Sequence, residues 1–118
     1  MINGDYNMFV NDLHYGYGMN FSYKDRKYYI EGYYKENIYH LELERFVPFL
    51  KDFLWEYKSK NNMSECAKAF MKAPIFDGKT FPEIESEVEW LDFDPEDIDK
   101  ETKEYWKKHP NETPDGIV

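Results

Sequence analysis

The feature that most restricts the fold is a series of three segments in which apolar and polar residues alternate, separated by short polar turns. From Met19 to Tyr23, the residues Met19, Phe21 and Tyr23 alternate with Asn20 and Ser22. Successive side chains of a strand point to opposite faces, so this spacing predicts a strand with one buried face. Lys24-Asp25-Arg26-Lys27 reads as the turn that follows. From Tyr28 to Tyr34, Tyr28, Ile30 and Tyr34 share a face with Gly32, while Tyr29, Glu31 and Tyr33 share the other; Lys35-Glu36-Asn37 turns the chain again. The third segment sets Tyr39, Leu41 and Leu43 against Ile38, His40, Glu42 and Glu44, as in an antiparallel sheet with one wet face. Connections this short join antiparallel neighbours. The N-terminal half is therefore expected to be a three- or four-stranded antiparallel meander over about 13–45. Gly16 and Gly18 lack the lysine and hydroxyl residue of a phosphate-binding loop and read as a flexible entry to the sheet.

After Arg45 the period changes. Phe49, Leu50, Phe53, Leu54 and Tyr57 recur at helical spacing behind Pro48, which predicts a helix near 48–58. Phe53, Trp55 and Tyr57 also alternate, so a fourth strand over 53–58 competes with it. Ser64 is placed to cap a short helix with Ala67, Phe70 and Met71 on its apolar side, ending before Pro74. Asp77-Gly78-Lys79 is a turn, and Thr80-Phe81-Pro82-Glu83 has the spacing of a capping box. A third helix with Phe81, Ile84, Val88 and Leu91 as its stripe is expected there, although Glu83 to Trp90 alternates equally well as a strand with four glutamates on one face. Asp94-Pro95-Glu96-Asp97 opens a last helix over 95–108, whose lysines gather near its end as the helix dipole prefers. Together these elements predict a single α+β domain over 1–109, the meander packed against two to four short helices from the C-terminal half, and a poorly ordered tail over 110–118.

Charge is unevenly placed. The chain of 118 residues has 15 Lys and Arg against 24 Asp and Glu, a net of −9, which argues against direct nucleic-acid or anionic-membrane binding. The window from Glu83 to Glu104 alone holds 11 acids (Glu83, Glu85, Glu87, Glu89, Asp92, Asp94, Glu96, Asp97, Asp99, Glu101 and Glu104) against Lys100 and Lys103, and so carries the whole net charge. On a helix, Glu83 with Glu87 and Glu85 with Glu89 would repel at i,i+4, so local stability does not account for the choice. No apolar stretch reaches the roughly 20 residues a bilayer requires. No export signal is visible, and the single cysteine forms no internal disulfide, so the cytoplasm is the expected compartment.

Catalytic signatures are missing from the pattern. His14, His40 and His109 fall in different elements without metal-ligand spacing, Cys66 reads as a core thiol, and the acids around Asp92 to Asp97 lack the order of a calcium loop. No enzyme activity, cofactor or metal is expected. The acidic window can imitate a phosphate backbone, with Trp90 and Phe93 as buried rings that set orientation, and Tyr29 and Tyr33 add aromatic anchors on the wet face. The expected function is that of a cytoplasmic inhibitor engaging a basic, nucleic-acid-binding site on a partner such as a nuclease. Anti-defence proteins of phages and mobile elements and nuclease immunity proteins use this strategy. A generic regulatory module binding through the tyrosine face alone is the alternative.

Overall fold

Two-residue turns build the sheet. Lys24 and Asp25, and again Glu36 and Asn37, all have positive φ (51°, 65°, 53° and 63°), the pair of left-handed residues whose twist matches that of flanking strands in a tight hairpin. They connect β1 (Met19–Tyr23), β2 (Arg26–Lys35) and β3 (Ile38–Val47). The computed structural model describes residues 1–112, and in them β4 (Trp55–Ser59) and β5 (Glu89–Leu91) extend the meander to a five-stranded antiparallel sheet of order β4-β3-β2-β1-β5. The expected α+β architecture is thus what the chain forms.

Alternation decides which face is buried. Met19, Phe21 and Tyr23 of β1, Tyr28 and Ile30 of β2, and Leu41 and Leu43 of β3 are all buried. They meet α1 (Tyr6–Tyr15), α2 (Met63–Lys72) and the single turn α3 (Phe81–Ile84) in one hydrophobic cluster. Rings dominate it: Phe9 stacks on Phe81 at 4.6 Å and Phe21 on Tyr28 at 5.1 Å, while Phe70 and Phe76 meet their neighbours edge-on or tilted. The opposite face carries no helix over most of its width. At one end, α4 (Ile98–Lys108) is tied to β2 through Lys27 and Arg26.

Several local readings are corrected. Residues 48–58 are not a helix: Phe49, Phe53 and Tyr57 are exposed, Leu50 N–H donates to the Arg45 carbonyl at 3.1 Å in a loop, and Trp55–Ser59 pairs with β3 as the competing strand. Asn62, not Ser64, caps α2, accepting from Glu65 N–H at 2.9 Å. Past Thr80 neither the long helix nor the long strand forms. The one turn of α3 runs into a 3-10 turn at Glu85–Glu87 and then into the three residues of β5. The last helix begins at Ile98 behind Asp97, whose carboxylate accepts from Lys100 N–H at 3.0 Å. The Gly16 region is not a loose entry to the sheet but the end of α1. Gly16 (φ 76°) donates to the Leu13 carbonyl and Tyr17 to that of Asp12, a Schellman closure that requires the left-handed residue. Of the tail expected over 110–118, residues 113–118 lie outside the described residues. Glu112, within them, is bonded to Arg26 and Tyr105.

Candidate functional site

The open face of the sheet gathers carboxylates that the chain order keeps apart. Cross-strand register places Glu31 opposite Glu42 and Glu42 opposite Glu56, three glutamates in a row across β2, β3 and β4. Neighbouring strands lie about 4.8 Å apart, and like charges directly opposite destabilise a sheet. In the next rows, Tyr29 lies opposite Glu44, and Tyr33 opposite His40, which in turn faces Lys58. The rings of Tyr33 and His40 stack at 4.6 Å and those of Tyr29 and Phe46 at 5.9 Å. Glu42 is 8% exposed, and none of Glu31, Glu42, Glu44 or Glu56 forms an ion pair with another described residue.

The electrostatics follow from this crowding. Glu44 is held above the ordinary carboxylate range, first by burial and then by the charges of Glu42, Glu31 and Asp94. The Tyr29 hydroxyl donates to Glu31, and that bond, with burial and the nearby carboxylates, pushes its pKa up to about 12. Tyr33 is likewise raised to about 12, chiefly by its hydrogen bond to Glu42. The phenols therefore remain donors, each oriented by a carboxylate. Together with Phe53 from the β3–β4 loop, Tyr29, Glu31, Tyr33, Glu42 and Glu44 line a pocket of about 160 Å³.

Asp94 connects this patch to the C-terminal acids, since its charge bears on both Tyr29 and Glu44. Glu87, Glu89, Asp92, Asp94, Glu96, Asp99 and Glu104 are exposed. Glu87, Glu89, Glu101 and Glu104 line a cleft of about 560 Å³ between the end of the sheet and α4, facing Lys24, Lys27 and Lys108. The remaining acids of the window have internal partners. Glu83 accepts from the Thr80 N–H and hydroxyl at 3.0 and 3.1 Å; Glu85 pairs with the N-terminal ammonium at 2.6 Å and Glu101 with Lys27 at 2.5 Å; Asp97 caps α4. Phe93 is 83% exposed between Asp92 and Asp94, contrary to the expectation of a buried ring, while Trp90 packs partly buried against Phe9.

Sequence reasoning missed Glu31, Glu42, Glu44 and Glu56 as a group. The turn at Glu36-Asn37 fixes the register of β2 on β3 and would have revealed the first three; Glu56 was hidden by the helical reading of its segment. Elsewhere, His14 Nδ1 lies 2.9 Å from Ser64 Oγ. That contact joins α1 to α2, and among the described residues no carboxylate is bonded to the other ring nitrogen to complete a triad. No group of three or more His, Cys, Asp or Glu among the described residues is arranged to hold a metal ion, and no described helix is long and apolar enough to cross a membrane. Comparison with protein-family models, curated proteins and solved structures finds no match for this chain.

Proposed function

We propose that the protein is a non-enzymatic, cytoplasmic inhibitor whose open sheet face and adjoining 87–96 segment occupy a basic, nucleic-acid-binding site on a partner protein. The observation that carries this reading is the Glu31–Glu42–Glu56 row. Three like charges in register, the central one nearly buried and none paired with a cation, cost the fold stability. A basic partner would return that cost by supplying the missing cations. Glu89, Asp92, Asp94 and Glu96 enlarge the same surface, and Phe93, standing exposed among them, is a ring of the kind that anchors an interface. Tyr29 and Tyr33 belong to this surface as well. The Tyr29 hydroxyl holds Glu31 in place and the Tyr33 phenol feels Glu42, so the tyrosine face and the acidic face act as one.

The test is capture from native lysate followed by competition. A partner bound at low salt is expected to be released as ionic strength rises, and to lose bound nucleic acid when this protein is added. Replacing Glu89, Asp92 and Asp94 together by Lys should abolish capture while the circular dichroism spectrum stays native. Replacing Tyr29 and Tyr33 by Ala should weaken it by about tenfold or more, as for interface ring anchors. A partner retained by the charge-reversed protein, or one unaffected in its hold on nucleic acid, overturns the proposal.

A further inference from the structure

The two edges of the sheet are finished differently. Along β5 the N-terminal segment closes the edge: the Asn3 side chain brackets Trp90, donating to its carbonyl at 3.0 Å and accepting from its N–H at 2.6 Å, and Ile2 N–H donates to the Val88 carbonyl at 2.8 Å. Along β4 no described strand pairs with the outer side. Leu43 directs its carbonyl toward the β4 side, accepting from Leu54 N–H at 2.8 Å, and Gly32 directs its N–H away from β3, to the Gly16 carbonyl at 3.0 Å. Backbone polar groups alternate in direction along a strand. Trp55, Tyr57 and Ser59 therefore turn theirs toward β3, and Glu56 and Lys58 turn theirs outward along the bare edge. An edge of this kind is a template for another strand.

We infer that β4 is the interface at which two copies of this chain pair, forming a continuous ten-stranded sheet. The strand is self-complementary. An antiparallel pairing about a two-fold axis through Tyr57 sets Glu56 opposite Lys58 of the second copy and, by symmetry, Lys58 opposite Glu56, giving two cross-strand ion pairs on the open face. These are the same residues whose N–H and C=O groups point outward, so backbone and side-chain pairing select one register. On the other face Tyr57 meets its own counterpart. It is 42% exposed and stacked on Trp55 at 6.2 Å, so the pairing covers a ring that the monomer leaves wet. A register shifted by one residue would lose both ion pairs and transfer the rings to the charged face.

Sedimentation equilibrium of the full chain, at micromolar to millimolar concentration and low salt, tests the assignment. The wild-type protein is expected to dimerise, with amide exchange at Glu56 and Lys58 slowing as concentration rises. Glu56→Lys or Lys58→Glu alone places like charges opposite each other twice and should weaken dimerisation about tenfold or more. The double variant E56K/K58E restores both pairs and should recover the wild-type constant. Three results would overturn the inference: a monomer throughout the range, a dimer indifferent to the single reversals, or a double variant no better than the singles. The exchange measurement needs no variant, and concentration-independent exchange at both amides is equally decisive against it.

Discussion

At the scale of single residues, the open face and the core impose opposite demands. Glu44 sits half-buried beside Glu42, Glu31 and Asp94, and its proton is held more tightly in the folded chain than in the unfolded one. An acid whose folded pKa is raised binds more protons in the native state over the window between the ordinary and the raised value. Stability from this group is then full below that window and declines as pH rises through it. At neutral pH the charge is a liability, and Glu44→Gln is expected to raise stability by up to about 1 kcal/mol, read as a higher urea midpoint at pH 7 and little change at pH 4. In the core the constraint is steric. Gly32 approaches Gly16 so closely that a Cβ would stand 2.8 Å from the Gly16 Cα and 2.6 Å from the Met63 methyl. Met63 can swing aside and the backbone cannot. Gly32→Ala should therefore cost about 1–3 kcal/mol, in the range of overpacked sites, and detach the end of α1 from β2, which thermal unfolding will record.

Among the elements, α4 is held by polar contacts more than by apolar burial. Tyr105 is its buried residue, and the network centres on Arg26, which donates to the Tyr105 hydroxyl at 2.9 Å, to Asp77 at 2.9 Å and to Glu112 at 2.7 Å. The Tyr105 hydroxyl donates in turn to Glu112 at 2.7 Å. That bond, with those of Arg26, holds the Glu112 carboxyl below its usual range despite some burial. The sign is opposite to that of Glu44. Stability from a depressed acid is complete above the ordinary carboxylate pKa and is lost as pH falls through the depressed one. On acidification, α4 should loosen before the sheet does, seen as faster amide exchange in 98–108, and Glu112→Gln should produce that loosening already at pH 7. Legibility in the sequence also divides by element. Strands β1 to β3 could be read because period and turn chemistry agree. The 48–58 segment misled because Phe53 and Tyr57 fit both the helical spacing of Phe49, Leu50 and Leu54 and the alternation with Trp55, and only the free side of β3 decides for the strand. The α1 helix had clear signals that went unused: Asp5 as its cap, Phe9 and Leu13 one turn apart, and Gly16 at its end. Past Thr80 each half of the ambiguity was partly right, because Ile84 and Phe81 are buried by one helical turn and Trp90 by a strand. The acidic count of 83–104 was plain from composition, and the internal use of Glu83 from the capping-box spacing of Thr80 to Glu83, which the structure forms; that Glu85 and Glu101 would be used internally was not, since their partners lie far along the chain.

For the whole molecule, the carboxylates left unpaired make one prediction that separates recognition from stability. The net charge is −9, and much of it stands on the open sheet face and over 92–96, while Glu87 and Glu89 face Lys24, Lys27 and Lys108 across the cleft. Self-repulsion of this kind destabilises the compact state, and salt screens it within about 10 Å at 0.1 M. Added salt should therefore raise the melting temperature of the isolated protein, while the same salt weakens its hold on a basic partner. The two effects come from the same side chains and have opposite signs. Reversing Glu89, Asp92 and Asp94 to Lys adds two charges at each position and takes the net from −9 to −3. That variant should melt higher than wild type at low salt and show a smaller rise on salt addition, although it no longer binds. Parallel melting curves at low and high ionic strength decide the matter. A variant whose melting temperature is lower at low salt would mean that these acids contribute attractive contacts within the fold, and their placement would then be explained by stability rather than by a cationic partner.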